Sequence, residues 1–165
     1  MLATPLQLAN ATAALATRGK RFKPHLVAAF EDPLTGRRTL MAPERLSSVQ
    51  IDSEFYWDNI VAAMHDVMQS ETGTARAAGL GAPYQMAGKS GTAQVISIAQ
   101  EEEYDEEEIE ERLRDHALFI SFAPLEEPRI AVAVIVENGS SGSRVAAPIA
   151  RAVMDQYLGV TSDAF

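Results

Sequence analysis

The residues best suited to chemistry stand together at Lys89, Ser90, Gly91 and Thr92, inside the run MAGKSGTAQV (residues 86–95). Lys89 is one of three lysines in the chain, and it sits beside two hydroxyls and a glycine in an otherwise apolar stretch. A fixed ammonium charge and paired hydroxyls suit an anionic group such as a carboxylate. On an extended strand, alternation puts Lys89 and Gly91 on one face and Ser90 and Thr92 on the other. Gly91, lacking a side chain, lets another backbone approach, so a peptide-like ligand could add as a further strand. A backbone N–H here could point at a developing oxyanion.

A phosphate-binding reading of the Gly-Lys-Ser triplet fails on two counts. The pattern G-x-x-x-x-G-K-[ST] needs glycine at position 83, where the chain has Pro83, and a helix afterwards, where the chain reads VISI. His25, His65 and His116 are scattered and form no spaced metal-ligand cluster. The expectation is therefore no metal and no cofactor, with structural hydrogen bonds for His25 and His116 and an exposed position for His65.

The elements that must hold the strand follow from punctuation and periodicity. The run TPLQLANATAALATRG reads as a helix, with Thr4 as cap, Pro5 at its first position, Gln7 closing a capping box and Gly19 as stop. Residues 20–50 break into short extended pieces at Pro24, Pro33, Gly36 and Pro43. FYWDNIVAAMHDVMQ is a second helix whose Trp57, Ile60, Val61, Met64, Val67 and Met68 form a core-facing stripe. Residues 75–84 read as a Gly- and Ala-rich loop, and QMAGKSGTAQVISI as a strand. HALFISFAP and RIAVAVIVENG are two more strands, joined closely enough by PLEEP to be antiparallel neighbours. Residues 138–143 form a loop near the cleft, and VAAPIARAVMDQYLG is a last helix stopped by Gly159. The fold class is α+β: helices, then a three-stranded antiparallel sheet portion, then a C-terminal helix.

The 165 residues make one domain, 47% hydrophobic, with no run near the roughly 18 apolar residues of a membrane span. No signal or transmembrane segment is read, so the chain is expected to be soluble without direct membrane contact. Zero cysteines exclude disulfides and thiolate chemistry. The net charge of -9 is local: residues 101–111, EEEYDEEEIEE, hold nine acids, and removing them from 23 leaves 14, equal to the 14 Lys+Arg. With no basic stripe interleaved with aromatics, nucleic acid is not an expected partner. Glu108 with Arg112 and Glu110 with Arg114 are i,i+4 pairs, which predicts a solvated helix.

MAGKSGTAQV resembles the Lys-Thr/Ser-Gly motif of penicillin-binding proteins and serine β-lactamases. With TPLQLANATAALATRGK, KPHLV, ERLRDHALFISFAP and RIAVAVIVENG, the likeness runs from Thr4 to about Gly159. It is to the elongation-specific class B transpeptidases, of the penicillin-binding protein 2 type. The resemblance implies a peptidoglycan D,D-transpeptidase that cross-links stem peptides through a serine acyl-enzyme on D-Ala-D-Ala, works on the periplasmic face of the inner membrane with the cell-elongation machinery, and binds β-lactams. It implies that Lys89 tunes the site electrostatically and helps hold substrate, and that Ser90 binds the donor carboxylate. Gly91 permits close approach. Thr92 offers its hydroxyl to that carboxylate and its N–H to an oxyanion hole.

The family's Ser-x-x-Lys and Ser-x-Asn motifs have no match anywhere in the sequence. Residues 1–165 are therefore expected to be the C-terminal portion of a transpeptidase domain, without the nucleophile-bearing half, pedestal and membrane anchor, and inactive alone. A non-catalytic interaction module is the alternative, and β-lactam hydrolysis a weaker third that needs the same serine. Half a domain should expose apolar surface, giving self-association or local disorder near residues 75–83 and around the acidic run.

Overall fold

A computed structural model of the chain describes residues 2–95 and 110–160. Helix α1 spans Pro5–Ala16. Thr4 caps it because its hydroxyl accepts the Gln7 N–H at 3.2 Å while the Gln7 side chain accepts the Thr4 N–H at 2.8 Å. This reciprocal pair satisfies two donors that a helix start leaves orphaned. Residues 20–50 then form two small antiparallel ribbons: β1 (Arg21–Phe22) with β4 (Arg45–Leu46), and β2 (Ala29–Glu31) with β3 (Arg38–Leu40). Ser53 caps α2 (Glu54–Gln69), its hydroxyl accepting the Phe55 N–H.

The stripe on α2 is real but narrower than its sequence pattern. Trp57, Met64 and Met68 are buried, whereas Ile60 is 43% exposed. His65 departs from the expected exposure. Its side chain is mostly covered, and its Nε2 is buried with no hydrogen-bond partner among the described residues. Residues 75–83 are not a plain loop. A short helix α3 (Arg76–Gly79) forms there, and Ala75, Ala78 and Gly79 are buried.

The sheet is β5 (Ala87–Ala93), β6 (His116–Ala123) and β7 (Ile130–Val136), antiparallel in the order β5-β6-β7. Register pairs Lys89 with Ile120, Ser90 with Phe119, Gly91 with Leu118 and Thr92 with Ala117. Period-two alternation divides β6 between two cores. Ala117, Phe119 and Ala123 pack with Met68, Met86 and the α4 residues Ala147, Ala150 and Met154. Phe122 and Ile120 turn the other way, with Met64, Ala87 and the α1 residues Leu15 and Ala16. Burying a Phe or Met side chain contributes about 1.5–3 kcal/mol, so these two layers are what keep the sheet rigid under β5.

The segment before β6 corrects one expectation. Glu110 is extended and Glu111–Leu113 is a single 3-10 turn rather than part of an α-helix. The Arg112 side chain pairs with Glu110 at 2.7 Å. The rest of the acidic run lies outside the described residues. At the other end, a π-helical turn (Gly142–Ala146) leads into α4 (Ala147–Leu158), so helical structure starts earlier than the α-helix itself. Pro148 sits in the first turn, and Gly159 ends the helix at φ 72°, a left-handed conformation glycine adopts without strain.

Candidate functional site

β5 is an edge strand: β6 covers one side, and no strand pairs with the other among the described residues. Alternation holds along it. Ser90 and Thr92 face the α4 side and line a cleft of about 310 Å³ together with Asp115, Ser140, Ser141, Gly142 and Ser143. Lys89 and Gly91 share the opposite face, as their partners Ile120 and Leu118 do. Lys89 is exposed, and its ammonium donates to the Ser90 carbonyl at 2.7 Å. The four residues singled out by type are thus contiguous on one strand, but only the two hydroxyls enter this cleft.

The facing wall is built by residues 138–143. Ser141 caps the π-helical turn, its hydroxyl accepting the Arg144 N–H at 3.3 Å and lying 3.4 Å from the Ser143 hydroxyl. Gly142 is buried, and a Cβ there would lie 2.3 Å from the Leu118 carbonyl oxygen and 2.8 Å from that of Gly91. Only glycine lets this wall seat directly on the β5 and β6 backbones. The cleft therefore has hydroxyls on both sides, a geometry for hydrogen-bonding a polar ligand laid along β5.

Asp115 is the cleft residue that the sequence reading missed. It is buried at 6% exposure and accepts the Val95 N–H at 3.2 Å. Its only sequence signal is a charged residue placed directly before an apolar strand. His25 and His116 make the structural hydrogen bonds expected of them. His25 Nδ1 lies 2.8 Å from the Val27 carbonyl oxygen, and His116 Nδ1 accepts the Asn138 N–H at 2.9 Å.

A larger groove of about 490 Å³ lies elsewhere, between α1 and the Val49–Trp57 region, lined by Ala11, Ala14, Leu15, Val49 and Trp57 among others. It contains no nucleophile or acid–base pair, so the smaller hydroxyl-lined cleft is the chemical candidate. No group of three or more His, Cys, Asp or Glu side chains could hold a metal among the described residues. No described helix is long and apolar enough to cross a membrane.

The chain matches the penicillin binding protein transpeptidase domain over residues 1–155. It is 40% identical over 156 residues to peptidoglycan D,D-transpeptidase MrdA of Haemophilus influenzae, covering 94% of this chain and 24% of that protein. Against MrdA of Acinetobacter baumannii the identity is 46% over 160 residues, covering 94% and 22%. This chain thus spans about a quarter of the length of the curated relatives it matches. Among solved structures it resembles Pseudomonas aeruginosa penicillin-binding protein 2 in complex with WCK 5153, with TM-score 0.73, 40% identity and coverage of 94% of this chain and 30% of that one. It also resembles penicillin-binding protein 2 in its complex with MreC from Helicobacter pylori, with TM-score 0.70, 25% identity and coverage of 96% and 26%.

Proposed function

This chain belongs to the penicillin-binding protein transpeptidase family, and from that premise we propose that it is the substrate-binding part of a peptidoglycan D,D-transpeptidase. The observation that carries the reading is the pair Ser90 and Thr92, side by side on an unpaired strand edge and facing a second wall of hydroxyls. A donor stem peptide ending in D-Ala-D-Ala lies along β5 and places its terminal carboxylate on the two hydroxyls. Lys89 supplies positive potential at the strand. Gly91 keeps the edge open to the ligand backbone. The Thr92 N–H forms one arm of an oxyanion hole.

The serine nucleophile and its lysine come, in this reading, from a segment outside these 165 residues, since no serine here has a lysine three positions later. These residues alone then bind without acylating. The parent protein works at the periplasmic face of the inner membrane, takes β-lactams as mimics of D-Ala-D-Ala, and joins the cell-elongation machinery. The Helicobacter pylori homologue's complex with MreC supports the last point.

A second reading, a non-catalytic interaction module, draws on the ribbon region, where Leu26, Leu34 and Leu40 are 102%, 94% and 73% exposed. Intact-mass spectrometry separates the two. This chain is mixed with a separately produced segment carrying Ser-x-x-Lys and Ser-x-Asn, and a β-lactam is added. An adduct on that segment that disappears with Lys89→Ala supports the transpeptidase reading. An adduct on this chain contradicts the assignment of the nucleophile elsewhere. No adduct on either moves the balance to the interaction module.

A further inference from the structure

Resting on that reading of the cleft, we propose that Asp115 and Asn138 are positioning residues that hold the serine wall of residues 140–143 opposite Ser90 and Thr92. The wall depends in part on its neighbours. Asn138 and Ser140 both sit at left-handed backbone angles, φ 57° and 56°. Asn tolerates that region better than most residues, but Ser140 has no such advantage, so its surroundings must hold it there.

The support comes from the segment that enters β6. The Asn138 amide Nδ2 donates to the carbonyl oxygens of Arg112 at 3.0 Å and Arg114 at 2.9 Å. Its backbone N–H goes to His116 Nδ1 at 2.9 Å. Between Arg114 and His116, the Asp115 carbonyl accepts the Ser140 N–H at 2.8 Å. The Asp115 side chain turns the other way and accepts the Val95 N–H just past the end of β5. Asp115 is thus bonded to both walls at once: through its backbone to the serine loop, and through its carboxylate to the β5 strand that carries Ser90 and Thr92. Beyond it, Gly142 rests on the backbones of Gly91 and Leu118. A displacement of the 112–116 segment therefore moves both sides of the cleft together.

The geometry separates positioning from bulk stability. These bonds lie at one end of the sheet, and Asp115, Asn138 and Ser140 belong to neither of the two hydrophobic clusters that hold α1, α2 and α4. The test is a set of ¹H–¹⁵N spectra of this chain, wild type and the variants Asn138→Asp, Asp115→Ala and Asp115→Asn, each then titrated with an N-acetylated D-alanyl-D-alanine peptide. Asn138→Asp keeps the left-handed preference and the size but turns the amide donor into an acceptor facing two carbonyls. The expected result is displaced amides at residues 90–92 and 140–143, unmoved amides in α1 and α2, and at least a fivefold weaker peptide affinity. Asp115→Ala should do the same. Asp115→Asn, which keeps an oxygen to accept the Val95 N–H, should restore the wild-type cleft pattern.

Unmoved cleft amides in Asn138→Asp overturn the proposal. So do shifts spread through α1 and α2, which mark a merely structural role, or an Asp115→Asn variant as damaged as Asp115→Ala. If the wild-type chain fails to bind the peptide, the carboxylate-binding reading fails, while the pattern of amide shifts still decides the positioning role.

Discussion

Ser90 and Thr92 make different demands on their surroundings than the buried side chains around them, because both are at least partly exposed and can lose a hydroxyl without leaving a hole. A hydrogen bond to a ligand contributes about 0.5–1.5 kcal/mol, more to a charged group. Ser90→Ala and Thr92→Val should each weaken D-Ala-D-Ala peptide binding about threefold to tenfold, with the unfolding midpoint unchanged, as read by titration and urea melts. Tyr84 answers to pH instead. Burial first, then its hydroxyl bond to Asp155 at 2.6 Å and the charge of that carboxylate, push the phenol well above its ordinary value. The fold thus favours the protonated phenol. Its contribution to stability is complete below the unfolded tyrosine value of about 10 and is lost as pH rises toward the folded one. Urea melts at about pH 9 and about pH 11 should show a steeper alkaline loss for wild type than for Tyr84→Phe. Arg151 completes this cluster. It grips Asp155 with its Nε at 2.8 Å and reaches the Ala78 carbonyl at 3.0 Å, tying α3 to α4.

Among the elements, those legible in the sequence are the ones whose cause is local. α1 announces itself through Thr4, Pro5 and Gln7, and each does in the structure what its type suggests. β6 and β7 are apolar runs with a short link, and the antiparallel pairing follows. β5 was legible for the same reason, since its run leads into the β-branched pair Val95 and Ile96, which favours an extended chain. What the sequence hid is set by tertiary contact. The π-helical turn exists because Gly142 is seated on two strands, and nothing in GSRVA signals that. α3 is four residues long, too short for periodicity, and Gly79 packs onto the Met68 carbonyl. At Glu110, i,i+4 charge spacing suggested a helix, yet the chain is extended there and Glu110 pairs with Arg112. Asp115 was missed because one carboxylate before a strand says nothing about two walls that meet only in three dimensions. Replacing Gly142 by alanine tests the tertiary account directly. Overpacking against backbone costs about 1–3 kcal/mol, so Gly142→Ala should lower the urea-derived stability by that amount and disturb the Gly91 and Leu118 amides.

At the scale of the molecule, two well-packed layers around one sheet coexist with a long arm, residues 20–50, that buries little. Phe30 is 60% exposed, and Leu26 and Leu34 are almost wholly so. Several large apolar side chains left uncovered in one short segment favour association with another surface. Sedimentation velocity across a concentration series should show reversible association, reduced by Leu26→Ser with Leu34→Ser while the melting temperature holds. A concentration-independent monomer would count against this surface as a docking face.

The β5–β6 ladder closes with the rung between Ala93 and His116, and the Val95–Asp115 bond fastens it just beyond. Opening the strand pair from that end must therefore break a side-chain bond as well as a backbone rung, so the amides of Thr92 and Ala93 should exchange with solvent more slowly than those of a bare strand end.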